Sequence, residues 1–86
     1  MLKAIKFSAI WCPPCKMLSP IWDQLVDDIS DVEFDRVDID DNPDEASKYN
    51  VSAVPTIVFI KDEQVVGQIV GLRSYDDLKA EIEKHK

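Results

Sequence analysis

The spacing of apolar side chains changes several times along this chain, and each change marks an element. Lys3 to Ser8 alternates polar and apolar and then runs into Ala9-Ile10-Trp11, which predicts a strand ending near Ser8 or Ala9. From Pro13 the period lengthens. Leu18, Ile21, Trp22, Leu25, Val26 and Ile29 recur at helical spacing, while Lys16, Asp23, Asp27 and Asp28 fall mostly off that face. Pro13 and Pro14 suit the first turn of this helix, where backbone N–H groups have no partner within it. Pro20 lies inside it and removes the bond to the Lys16 carbonyl, which predicts a kink.

Val32 to Ile39 alternates again and predicts a second strand, with Phe34, Arg36 and Asp38 on one side and Glu33, Asp35, Val37 and Ile39 on the other. Asn42-Pro43-Asp44-Glu45 reads as a helix start, with Asn42 as the cap, Pro43 first in the helix and Glu45 as the reciprocal partner; the helix would end near Tyr49. Thr56 to Ile60 and Val65 to Val70 are β-branched and aromatic runs. Lys61-Asp62-Glu63-Gln64 joins them and is short enough for a hairpin. Ser74-Tyr75-Asp76-Asp77 has the spacing of a capped start for a last helix, whose face is Leu78 and Ile82. The order β-α-β-α-β-β-α predicts an α/β fold: a parallel first crossover, an antiparallel hairpin, and a mixed four-stranded sheet flanked by helices.

Length and composition narrow the class. The 86 residues make one small domain, expected over 1–86. At 45% hydrophobic and 31% charged the chain is neither disordered nor membrane-spanning in composition. The first residues, Met1 to Phe7, lack the long apolar region of a signal peptide, so a cytoplasmic location is the default expectation. Ten Lys and Arg against 17 Asp and Glu give a net charge of −7. That balance argues against nucleic acid, which needs a basic face to displace phosphate counterions, and against anionic membranes. Two cysteines exclude a multi-disulfide scaffold. One histidine, His85, leaves a four-ligand Cys/His zinc site short of ligands, so no metal is expected. Asp38-x-Asp40-x-Asn42 starts like a calcium loop, but Pro43 stands where glycine is required and Tyr49 where the bidentate glutamate should be. A solvated strand end explains it better. His85 reads as a surface residue at a frayed terminus.

Trp11-Cys12-Pro13-Pro14-Cys15-Lys16 carries the chemistry. The strand-to-helix junction puts Cys12 at the helix mouth and Cys15 one turn in. The positive end of the helix favours a thiolate at Cys12. The spacing lets the sulfurs bond without unfolding anything, so Cys12 can attack a target disulfide and Cys15 can release the product. Three plainer readings compete: a structural disulfide, which gains little from so short a loop; half of a zinc site shared across a dimer; and buried inert thiols. The redox reading outweighs them.

Phe7 to Lys16 resembles the active-site segment of thioredoxins. Val54-Pro55-Thr56 resembles that family's second signature, in which the proline is cis and faces the cysteines. Arg36-Val37-Asp38-Ile39-Asp40 followed by Asn42-Pro43, and Gly71 after the last strand, are similar too. The likeness spans nearly the whole chain, without the family's extra N-terminal strand and helix, and implies the minimal core of a thioredoxin-like fold. It implies that Cys12 is the nucleophile and Cys15 the resolving thiol. It implies a substrate cleft shaped by Pro55, with Val54 offering backbone groups to an extended substrate, Trp11 at the rim, and Pro13, Ala53, Val70 and Gly71 adding surface. A monomer is expected that uses no cofactor beyond its Cys12–Cys15 disulfide. Its partners would be disulfide-containing proteins, with ribonucleotide reductase among them, and thioredoxin reductase or another thiol donor.

Three positions depart from the family. Lys6 stands where thioredoxins resemble one another in a buried aspartate that exchanges a proton with the resolving thiol. A lysine there would favour thiolate, where a carboxylate disfavours it. Arg36 adds a second cation, and Asp38 has the parity to neutralise one of them; Lys6, Arg36 and Asp38 are therefore candidates for tuning the thiols. Lys6 is expected to reach past the sheet edge to solvent or to Asp38, with a direct part in proton transfer as the sharper alternative. Pro13 replaces the usual glycine and, with Pro14, deletes two N–H donors that a thiolate would use. Ser8 replaces a large aromatic. Two other functions compete with disulfide reduction: a glutaredoxin-like enzyme recharged by glutathione, and a docking module in which the dithiol is only a switch. Glutaredoxins usually lack the tryptophan and carry a late Gly-Gly pair, whereas Gly71 here precedes Leu72.

Overall fold

The computed structural model describes residues Met1–Lys86. Its elements are β1 (Leu2–Ser8), α1 (Pro13–Asp28), β2 (Val32–Asp38), α2 (Pro43–Lys48), β3 (Thr56–Lys61), β4 (Gln64–Val70) and α3 (Tyr75–His85). The strands form one mixed sheet in the order β2-β1-β3-β4. β1 pairs parallel with β2 and antiparallel with β3, and β3 pairs antiparallel with β4.

β1 lies inside the sheet and is covered on both faces, which is why its residues are almost all buried. Its period of two sorts them between two cores. Leu2 and Ala4 face α1 and α3, among Leu18, Trp22, Leu25, Ile57, Phe59, Leu78 and Ile82. Ile5 and Phe7 face α2, with Ala46 and Val58 and the half-buried Val37, Ile39 and Tyr49. Lys6 has the parity of Leu2 and Ala4, so it is carried in under α1. The helical stripe of α1 behaves as its spacing predicts, with Leu18, Trp22 and Leu25 fully enclosed. The helix continues through Pro20 without interruption.

The start of α2 is built differently from its predicted capping box. Asn42 is the cap residue, but its side chain makes no cap bond to the helix. Asp38 organises the turn instead. Its carboxylate accepts from the N–H groups of Asp40 at 2.8 Å and Asp41 at 3.3 Å, and its carbonyl accepts from the Asn42 backbone and side chain. Carboxylate-to-backbone bonds of this kind close turns. The acidic run therefore serves the β2–α2 connection. At α3 the expected cap is present: Ser74 Oγ accepts from Asp77 N–H at 3.1 Å.

His85 is also not the frayed surface residue its position implied. Its side chain is only 15% exposed, and its ring stacks on Phe59 at 5.1 Å. Gly67 makes room for it. A Cβ at Gly67 would lie 2.6 Å from the imidazole. The register slips beside this point, between Phe59 and Ile60, so the end of α3 closes onto the sheet at a bulge.

The hairpin turn is tighter than the four residues allowed for it. Lys61 and Gln64 pair, and only Asp62 and Glu63 form the loop, with φ of 53° and 66°. Positive φ at both positions is the mirror-image turn that matches strand twist, and it favours Asn-Gly. Glu63→Gly relieves a left-handed side chain worth about 1–2 kcal/mol. It loses about 0.4–1 kcal/mol through a freer unfolded chain. The variant is expected to unfold at a higher urea concentration, and a lower midpoint would contradict this account of the turn.

Candidate active site

Cys12 follows the β1–α1 junction and is the cap residue of α1, with φ −99° and ψ 109°. Pro13 and Pro14 occupy the first two helical positions and have no N–H. The first free donor is Cys15 N–H, which reaches Cys12 Sγ at 3.2 Å. The two cysteines are joined as a disulfide, with Cα atoms 5.3 Å apart. The pair is less open than a place at the helix mouth implies: Cys12 is 3% exposed and Cys15 5%. Ala9 packs beside them, with Ile39 and Val54 against the cluster. What lies open is the surround, since Ile10, Trp11, Pro13 and Pro14 are all exposed.

The loop before β3 meets the disulfide from across the sheet end. Cys12 Sγ lies 3.6 Å from the Val54 carbonyl oxygen, and the Val54–Pro55 bond is cis. Two hydrogen bonds pin this loop. Thr56 Oγ1 donates to Ala53 O at 2.6 Å, and Gly71 N–H donates to Pro55 O at 2.8 Å. Gly71 has φ 96°, a conformation that favours glycine. Pro55 is buried, Val54 half-buried, and Ala53 and Val70 exposed. Trp11 is 62% exposed, and its indole N–H donates to Asp40 at 2.8 Å. It is therefore a surface residue held in place by a carboxylate, not part of the core.

The thioredoxin family model matches residues 2–84. The chain is 43% identical over 84 residues to a thioredoxin of Chlamydia caviae, covering 98% of this chain and 82% of that one. A thioredoxin of Staphylococcus epidermidis is 35% identical over 85 residues, covering 98% and 82%. The solved structure of Fasciola hepatica thioredoxin superimposes with a TM-score of 0.94 at 41% identity, covering 99% of this chain and 81% of that one. This chain belongs to the thioredoxin family. Thioredoxins are protein-disulfide oxidoreductases, and the paired Cys12 and Cys15 make this chain a thiol-disulfide oxidoreductase. The family implies disulfide substrates and reductase donors, and its members need no cofactor besides their redox disulfide. No helix is long and apolar enough to cross a membrane.

Lys6 does not reach solvent past the sheet edge, and it does not pair with Asp38. It is 4% exposed, and no carboxylate lies within 4 Å of its ammonium. The reason is its parity: pairing opposite Arg36 on β2 and Ile57 on β3 turns it under α1, 5.9 Å from the centroid of the Trp22 ring. Burial lowers its pKa, the Arg36 charge lowers it further, and Asp23 raises it in part. Arg36 is exposed and pairs with Asp23 of α1. Asp38 is committed to the β2–α2 turn. Sequence reasoning thus missed Asp40 and Asp23 as partners of Trp11 and Arg36. Nothing in their spacing marks either contact, because each joins residues from different elements.

A lysine held below its ordinary pKa weakens the fold wherever it must be charged. The penalty is full at pH values below the folded pKa, fades between the folded and unfolded values, and vanishes above the ordinary lysine value of 10.5. Lys6→Met is expected to raise stability at neutral pH, on the order of 1 kcal/mol. The gain should shrink as pH rises through the alkaline range. Urea unfolding across pH checks this, and a loss of stability at neutral pH would contradict it.

Proposed function

We propose that this chain reduces protein disulfides, with Cys12 as the attacking thiol and Cys15 as the resolving one. The observation that carries the reading is the setting of Cys12 Sγ. It is the cap atom of α1, 3.2 Å from Cys15 N–H and 3.6 Å from the Val54 carbonyl. The helix end and the N–H favour thiolate there. Cys12 thiolate bonds to one sulfur of a target disulfide, and the other leaves as a thiolate and takes a proton. Cys15 then bonds to Cys12, the mixed disulfide breaks, and the second substrate thiol leaves. The pair ends oxidised by two electrons and the substrate reduced by the same two.

Val54 and Pro55 form the floor of the substrate site. An extended substrate segment pairs with the Val54 backbone, while exposed Trp11, Pro13, Ala53 and Val70, with Gly71, supply the surface it lies on. The orientation of Trp11 by Asp40 and of Pro55 by Gly71 supports this. Thioredoxin reductase is the electron donor, ribonucleotide reductase is among the acceptors, and the protein works in the cytoplasm as a monomer without a further cofactor.

Insulin-disulfide reduction driven by dithiothreitol tests the assignment. Cys12→Ser is expected to abolish activity. Cys15→Ser is expected to accumulate a covalent complex with substrate that added thiol releases. Wild-type turnover in Cys12→Ser would sink the reading. Replacing dithiothreitol by thioredoxin reductase, and then by glutathione with its own reductase, identifies the donor. Support from glutathione alone would overturn thioredoxin reductase as that donor.

A further inference from the structure

Lys6 is the one buried charged residue in this protein. Its ammonium has no carboxylate within 4 Å and donates no hydrogen bond within the chain; only Lys61 and Lys86 among the lysines do. The Trp22 ring 5.9 Å away attracts a cation weakly but meets none of its three N–H donors. Trp22 Nε1 is the sole fully enclosed side-chain polar atom without a hydrogen bond. The Lys6 ammonium lacks a partner too, so it is not fully enclosed: the 4% of this residue left accessible includes Nζ. The only cavity that Lys6 lines is a cleft of about 160 Å³, which it shares with Ser8, Cys15, Lys16, Ser19 and Asp38.

That cleft is rich in unused donors. The half-buried Ser8 and Ser19 bring hydroxyls that bond to nothing else in the chain, and exposed Lys16 brings a second ammonium to its edge. Asp38 is its one anionic residue, and its carboxylate already accepts the N–H groups of Asp40 and Asp41. The other charged groups packed near Lys6 neutralise each other, since Asp23 of α1 pairs with Arg36 of β2. β3 contributes the apolar Ile57 opposite, and Cys15 is uncharged in its disulfide. Two cations therefore face one engaged carboxylate. Water can satisfy the N–H groups but cannot balance the charge. The volume is several times the roughly 30 Å³ that one water takes up in the liquid, so a ligand with several acceptor oxygens fits.

We propose that this cleft binds a small inorganic oxyanion of the sulfate or phosphate class, held by the Lys6 ammonium and the Ser8 and Ser19 hydroxyls, with Lys16 at the mouth. The small side chain at position 8 leaves the room for it. The bound anion supplies the partner that the fold withholds from Lys6. It raises the Lys6 pKa back towards the ordinary value, so by linkage the anion binds more weakly once pH rises far enough to neutralise the amine. The site is independent of the roles given to Cys12 and Cys15 in catalysis.

Sulfate is the probe, because its charge is constant from neutral to alkaline pH. The disulfide form is titrated with sodium sulfate at constant ionic strength, and backbone amides are followed by NMR. Saturable shifts are expected at Lys6, Ser8, Cys15, Lys16 and Ser19. Lys6→Met is expected to weaken binding about tenfold or more, as loss of a charge-assisted hydrogen bond does. Ser19→Ala keeps Lys6 and is expected to weaken it about threefold, which tests the site without a change in the core. Unfolding midpoints alone do not serve, because excluded sulfate stabilises folded proteins generally. Shifts that grow without saturating, or that spread over the surface, overturn the proposal. So does equal affinity in Lys6→Met, or an affinity that stays constant through the alkaline titration of Lys6.

Discussion

The first turn of α1 has Pro13 and Pro14 where a helix ordinarily offers N–H groups, so Cys15 is the first residue able to donate one, and the Cys12 sulfur receives it. Most of the site depends on that bond. It makes a cysteine the cap of a helix and sets the sulfur in the helix field. It also turns Cys15 back towards Cys12, within disulfide reach. The prolines stiffen the turn that the two sulfurs must close, so less chain freedom is lost when the disulfide forms. They also remove two donors that would have favoured the thiolate. Rigidity and acidity are therefore traded against each other in one turn.

The second constraint is the position of β1 inside the sheet. Cysteines at the end of an edge strand would face solvent on one side. Those following β1 are closed in by Ala9, Ile39 and Val54, and only the residues around them are open. The rim is held by contacts that cross the fold: Trp11 to Asp40, Gly71 to Pro55, and Thr56 to Ala53. Hydrogen bonds of this sort each contribute about 0.5–1.5 kcal/mol. Their larger effect is to fix the shape of this rim.

Burial explains why Lys6 matters. An exposed lysine near a thiol would be screened by water and salt. Under α1, with Arg36 already committed to Asp23, its charge is costly to keep. That cost falls on the stability of the fold.

Periodicity and local chemistry made the element order readable in the chain itself. Alternation in β1 and β2, the helical stripe from Leu18 to Ile29, and Ser74 ahead of α3 are short-range signals, and the fold follows them. So is the pairing of Cys12 with Cys15, which needs one turn of helix and nothing more. The contacts joining distant residues were not readable. The sequence could not say that Asp40 holds Trp11, that Asp23 rather than Asp38 takes Arg36, or that His85 folds onto Phe59 over Gly67. Parity placed Lys6 on the face of Leu2 and Ala4, yet only the packing of α1 over that face decided that it would be buried beside Cys15 and not extended to water. A side chain's direction is a local property of the backbone, whereas its solvent and its partners are supplied by whatever the tertiary fold lays against it.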